Sequence, residues 1–320
     1  MTAPAPVIPA AVSRRSPLRS TGLVWTVLRV HRPALWAWAC YVAVTALLLL
    51  WLVGPATTAA THEIARCAGH PCTGHPAVWR YKYTLTAVNA LIRAAIYAVP
   101  AFAGAALIGR ELENRTSVLA WTQSVTPVRW LTAKLAVPAV LITAGTGLLA
   151  ALYRFAMSQR FGIGNWSPYD GSVYNNAGPL AVGYPLLGLA IGALAGMVLG
   201  RAVPALVAGT AVTAAAAWVI GHWHYLLWPS RTSTSKVFNG LPEGYNIRAY
   251  WLSPSGARLH DAPLHCVRQT CTPDRSGHYV YEYQPLSHYW PLQLLETGIV
   301  LALAAVTVAV TFRVLRRRLG

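Results

Sequence analysis

The chain is predicted to be an all-α membrane protein of six transmembrane helices. Three observations carry the prediction. Hydrophobic residues make up 55% of the 320 and charged ones only 11%, about half the charge of a typical soluble domain. The apolar residues fall in runs of roughly twenty, the length that crosses a bilayer core. The formal charge of +17 gathers beside those runs, as the positive-inside rule requires. That placement explains the basic excess without nucleic acid.

Residues 1–20 are rich in Pro, Ala, Ser and Arg without an apolar period and are expected to form a disordered cytoplasmic tail. In the next stretch, Leu23, Trp25, Val27, Leu28 and Val30 alternate with Arg29, His31 and Arg32, which suits a helix lying in the membrane interface. The six-span domain covers 21–312, with spans expected at about 34–53, 87–109, 135–157, 180–200, 202–222 and 290–312. The first is too long for a signal-peptide core and reads as a retained anchor. Outer loops are expected at 54–86, 158–178 and 223–289, the last a long polar, aromatic loop before the final span. A basic cytoplasmic tail, 313–320, follows it. Thr126-Pro127 reads as a cap followed by proline at the first helical position, so the third helix should start there.

Six crossings place both termini on one side, and the charges say which. Fourteen Arg and Lys residues flank the spans on that side, among them Arg110, Arg201 and Arg316, against only Glu111 and Glu113. The other side carries ten against six over a greater length. Both termini are therefore expected in the cytoplasm of a multi-pass cell-membrane protein. Cys67, Cys72, Cys266 and Cys271 then fall outside, where disulfides persist. Four cysteines allow three connectivities. Local C-x4-C bridges, Cys67–Cys72 and Cys266–Cys271, are expected first, with bridges between the two loops as the alternative. No metal site is expected, although His70 and His75 lie near Cys67 and Cys72.

No lysine stands in a P-loop pattern, and no G-x-S-x-G elbow occurs. His62-Glu63-Ile64-Ala65-Arg66 opens like a zinc-protease motif, but Arg66 stands where the second histidine is needed. The chain is read as having no catalytic or nucleotide site of its own and no cofactor. Two ionisable residues fall inside spans. Arg93 and Glu296 both lie roughly 9 Å below the outer surface at 1.5 Å per residue. Unpaired charges there are costly, so an intramembrane pair between them is expected. Glycines at four- or five-residue spacing in the fourth span (Gly183, Gly188, Gly192, Gly196) should let helices approach closely.

The longest polar interruption among the first three spans is the inner loop. Its residues Gly109-Arg110-Glu111-Leu112-Glu113-Asn114-Arg115-Thr116, then Leu119-Ala120-Trp121-Thr122-Gln123-Ser124-Val125-Thr126-Pro127-Val128-Arg129-Trp130, then Lys134, resemble the inner loop of type-2 ABC exporter permeases in their actinobacterial form. Leu199-Gly200-Arg201-Ala202-Val203-Pro204 is similar to that family's turn between spans four and five. Asn114 stands where many members have glycine. The resemblance implies a permease subunit exporting an apolar or drug-like substrate. It implies a second permease copy, surrounding lipid, and a separate ATPase that binds ATP and Mg. A coupling helix after Gly109 would seat in that ATPase, with Glu111, Glu113, Arg115 and Thr116 as contacts. A solvated helix start stabilised by the dipole is the plainer reading of the two glutamates. The alternative function is a non-transporting membrane sensor or scaffold with a ligand-binding outer region.

Overall fold

The computed structural model describes residues 20–67, 75–116, 126–158, 163, 167–236, 243–261, 264–267, 270–273 and 276–319. Helix α1 (Ser20–Val30) meets α2 (Arg32–Trp51) at an elbow on His31, where Pro33 at the start of α2 has no amide to lose. A π turn at Leu52–Ala56, containing Pro55, carries α2 into α3 (Thr57–Arg66). Helix α4 (Pro76–Phe102) passes through a second π turn, Ala103–Gly109, into α5 (Arg110–Glu113). Then come α6 (Pro127–Ser158), the short α7 (Gly171–Asn176), α8 (Leu180–Leu199), α9 (Ala202–Trp223) and α10 (Tyr289–Leu319).

Six of these continuous helical segments are long and apolar enough to cross a membrane: Arg32–Arg66, Pro76–Glu113, Pro127–Ser158, Leu180–Leu199, Ala202–Leu227 and Leu286–Arg318. One end of the bundle carries the α5 stub and the α8–α9 turn; we call it the loop face. The opposite end, the sheet face, carries the long connection between α9 and α10.

Several expected loops are in fact ordered. Residues 54–66 and 76–86 continue α2–α3 and α4 as helix. Their alanines favour helix, and Ala60, Tyr81 and Leu85 are buried against the neighbouring spans. At 35 residues, Arg32–Arg66 is roughly 50 Å long, more than a bilayer core is thick. The long connection folds as strands. Strands β1 (Arg231–Ser235), β2 (Gly244–Leu252), β3 (Arg258–Leu259) and β6 (His278–Pro285) form an antiparallel sheet in the order β1-β6-β2-β3. A hairpin pairs β4 (Leu264–Val267) with β5 (Thr270–Pro273). In β6, Tyr279, Tyr281 and Tyr283 alternate with Val280 and Glu282, a pattern that fits a pleated surface. Trp251 and Tyr281 form the sheet's core. The path from β6 to α10 is only a 3-10 turn, Leu286–His288.

Helix α8 stands at the centre, packed on α4, α6, α9 and α10. Its glycines make this possible. A Cβ at Gly192 would lie 2.4 Å from the Pro100 carbonyl oxygen, and one at Gly196 would lie 2.9 Å from that of Gly104. Gly200 closes α8 with φ +61°, a left-handed conformation that glycine adopts without strain.

Candidate functional site: the loop-face junction and the sheet-face polar nest

The loop-face junction begins with Pro100. A proline inside a helix removes one hydrogen bond and crowds the preceding turn, and the widened π turn Ala103–Gly109 follows it. Lys134 on α6, 4% exposed, reaches into this turn and donates to the Leu107 carbonyl at 3.0 Å. The same ammonium forms an ion pair with Glu111 and lies 5.4 Å from the Trp130 ring centre. One helical position pair further on, Glu113 Oε2 accepts the amide of Ala202 at 2.9 Å. That satisfies a free donor at the start of α9 and sets a negative charge at its positive end. Arg318 closes the same face by donating to the Val198 carbonyl at 2.9 Å, at the end of α8. Thr126 begins α6 as expected, its hydroxyl accepting the Arg129 amide at 3.4 Å.

The four expected partner contacts, Glu111, Glu113, Arg115 and Thr116, fall into three placements. Glu111 turns inward, one of its oxygens engaged by Lys134 and its side chain 22% exposed. Glu113 is exposed but uses one oxygen on Ala202. Arg115 and Thr116 are exposed, Arg115 with φ 55°, and the Thr116 hydroxyl donates to the Glu111 carbonyl at 3.2 Å. Arg110–Glu113 continues the second span rather than forming a separate helix, and residues 117–125 of the loop lie outside the described residues. Near the junction, His31 packs edge-on against Phe102 with ring centres 5.7 Å apart. Burial first, and the Lys134 charge second, hold its imidazole below the usual range.

At the sheet face the structure separates the expected intramembrane pair. Glu296 is fully buried and its Oε1 accepts the Tyr184 hydroxyl of α8 at 2.6 Å. Arg93 lies on the exposed surface of α4. Helix α8 packs on both α4 and α10, and it supplies Glu296 with a neutral donor in place of the guanidinium. Other buried polar residues were missed by the sequence reading. Asn176 donates to Asn89 at 3.0 Å, and Gln293 donates to the Tyr174 carbonyl at 2.5 Å. Asn89 inside an apolar run was the available signal. Tyr169, Tyr174 and Tyr289 pack together with ring centres 5.7 to 6.1 Å apart. Burial, then the nearby Glu296 carboxylate, push the Tyr174 hydroxyl well above its ordinary range. The Tyr169 hydroxyl donates to the Pro285 carbonyl at 2.8 Å, and Gln284 donates to the Trp228 carbonyl at 2.7 Å. These bonds seat the sheet on the helices.

Tyr184→Phe is expected to destabilise the protein by about 1–3 kcal/mol, since it deprives a buried carboxyl of a donor. Tyr83→Phe, at an exposed position, should cost less than about 0.5 kcal/mol. Thermal unfolding of both variants in lipid nanodiscs checks this.

Of the cysteines, Cys67 is disulfide-bonded, and Cys72 lies outside the described residues. Cys266 and Cys271 stand opposite each other in the β4–β5 ladder. Cys40 is free.

Comparison with known proteins gives one family. The model of the family described as "ABC-2 membrane transporter related" matches residues 38–224, more than half of the chain, running from within α2 to the end of α9 and including the α5 stub, Lys134 and the α8–α9 turn. No curated protein and no solved structure matches. The six apolar segments, the bonded junction between the α5 stub and the α8–α9 turn, and this match agree, and the chain belongs to the ABC-2 membrane transporter related family, as a multi-pass permease of the ABC-2 type.

Proposed function

We propose that this permease is the membrane subunit of an exporter for an apolar or drug-like substrate, driven by a separate ATPase that docks on the loop face. The loop face is then cytoplasmic, with both termini, as the charge asymmetry of the flanking residues requires. The sheet and the four cysteines Cys67, Cys72, Cys266 and Cys271 lie outside. ATP and Mg belong to the partner subunit, and a second permease copy completes the pathway.

The observation that carries this reading is the bonding of the α5 stub. Glu111 ties it to α6 through Lys134, and Glu113 ties it to the first turn of α9. A displacement of the loop therefore reaches three spans at once. A partner surface on the loop has Arg115, Thr116 and the outward part of Glu113 available to it. The sensor or scaffold alternative draws on the folded sheet, which offers an outer surface for a ligand.

The test is co-expression with a P-loop ATPase encoded beside it, purification through a tag on the permease, and ATP turnover in proteoliposomes. The expected result is a stable complex with substrate-stimulated turnover. Arg115→Glu should weaken assembly roughly tenfold, equivalent to about 1.4 kcal/mol. A permease that binds no such ATPase and moves no substrate with ATP would overturn the reading in favour of sensing.

A further inference from the structure

We propose that the cavity under the α1–α2 elbow holds an acyl chain of an anionic phospholipid whose phosphate sits on Arg29 and Arg32. The cavity measures 320 Å³, within the range of small-molecule sites. Helices α1, α2, α4 and α6 wall it, through residues such as Val27, Leu35, Phe102 and Leu141. Apart from His31, whose buried Nε2 has no hydrogen-bond partner among the described residues, its walls offer carbon. Trp38 Nε1 donates to the Leu141 carbonyl at 3.2 Å, and the Tyr41 hydroxyl donates to the Leu91 carbonyl at 2.9 Å. Ala37, Ala94 and Ala98 on the rim are exposed, so the cavity opens toward lipid. Beyond the His31 end, its contents must be apolar and slender enough to enter between helices, which describes an alkyl chain.

The polar end of the ligand is specified next door. A second depression, lined by Trp25, Leu28, Arg29, Arg32, Leu35 and Trp36, shares Leu28 and Leu35 with the first. Trp25 and Trp36 are 58% and 71% exposed, as tryptophans at the headgroup level are. The Arg29 guanidinium lies 4.8 Å over the Trp25 ring, which fixes its plane and leaves its edge donors free. Among the described residues no carboxylate pairs with the two arginines. The first 62 residues contain no Asp or Glu, Glu111 is paired with Lys134, and Glu113 is bonded to Ala202. A phosphodiester without a cationic headgroup meets both donors without repulsion. A zwitterionic lipid brings an ammonium into the same field. A free apolar molecule has no use for the arginines. The inference needs only that the elbow lies in a membrane, and stands apart from the export reading.

The experiment uses the full chain in phosphatidylcholine nanodiscs doped with photoactivatable acyl-diazirine phosphatidylglycerol, or with the matching phosphatidylcholine probe. Cross-linked peptides are mapped by mass spectrometry. The glycerol probe should label the cavity walls on α4 and α6 roughly thirtyfold more than the choline probe, as two basic residues at the membrane surface imply. Arg29→Ala with Arg32→Ala should remove that preference while labelling elsewhere persists. Ala98→Trp, which fills the mouth from an exposed position, should remove cavity labelling with the arginines intact. Leu141→Trp provides a second filling variant should the first fail to fold. Equal labelling by both probes, labelling spread evenly over the lipid-facing surfaces of α9 and α10, or cavity labelling indifferent to the arginines would overturn the proposal. The last result would point to a free apolar molecule instead.

Discussion

Replacing Glu111 by alanine should cost this permease about 3–5 kcal/mol of stability, because it strands Lys134 as a buried cation. Lys134 is 4% exposed, so water cannot take over from the carboxylate. Its remaining partner is the Leu107 carbonyl at 3.0 Å, a dipole where a full charge stood before. The Trp130 face, 5.4 Å away, offers roughly 1–2 kcal/mol at most. Lys134→Met removes the cation itself and fits its aliphatic stem. The double variant Glu111→Ala with Lys134→Met should therefore recover most of the loss, since a hydrophobic replacement for a buried ion pair is often neutral. Thermal unfolding of the two single variants and the double variant in one lipid composition measures the coupling. Strict additivity would mean that the two side chains do not depend on each other. The same cycle separates structure from docking. If Glu111 met the ATPase directly, the double variant would stay uncoupled even when stable.

The second large effect lies at the crossing of α4 and α8. Gly192→Leu should abolish the folded bundle or cut its yield severely. A Cβ there would meet the Pro100 carbonyl oxygen at 2.4 Å and the Pro100 Cα at 2.9 Å, and backbone atoms have no rotamer through which to escape. Overpacking a core commonly costs 1–3 kcal/mol, occasionally more, and here the first carbon already collides before the rest of leucine is placed. Helices in lipid associate through close packing rather than a hydrophobic drive, so a forced separation forfeits contacts along the whole interface. Gly147→Leu is the control, because its nearest neighbour would be 3.9 Å from the new Cβ. Size-exclusion profiles and unfolding temperatures of the two variants should diverge. A monodisperse Gly192→Leu protein with unchanged unfolding would show that α4 and α8 do not touch there.

The architecture of the spans was readable because bilayer thickness dictates run length, and the positions of Thr126-Pro127 and Gly200 were readable from backbone chemistry. What failed to show was rotational phase. Arg93 and Glu296 do lie inside candidate spans, yet position along a span does not say which helix stands between them. Glu111 and Glu113 are two residues apart, so they diverge around α5, one toward α6 and the other toward α9. A composition-based reading gives both the same role. The sheet was hidden for a different reason. Its strands sit in a polar stretch, and the alternation that marks a half-buried strand is confined to β2, through Tyr245, Ile247, Ala249 and Trp251, and to the tyrosines of β6. The helices at 54–66 and 76–86 are not legible because Gly54, Pro55 and the threonines are weak helix formers; burial of Ala60, Tyr81 and Leu85 against the neighbouring spans holds them.

One feature of the sheet-face connection bears on how such a molecule is handled. Between β6 and α10 there is a single 3-10 turn, and Gln284 and Tyr169 bolt it to its surroundings. No slack linker separates the extramembrane domain from the final hydrophobic rod. A ligand or antibody fragment that clamps the sheet acquires a stiff lever on the final span, without ever entering the lipid.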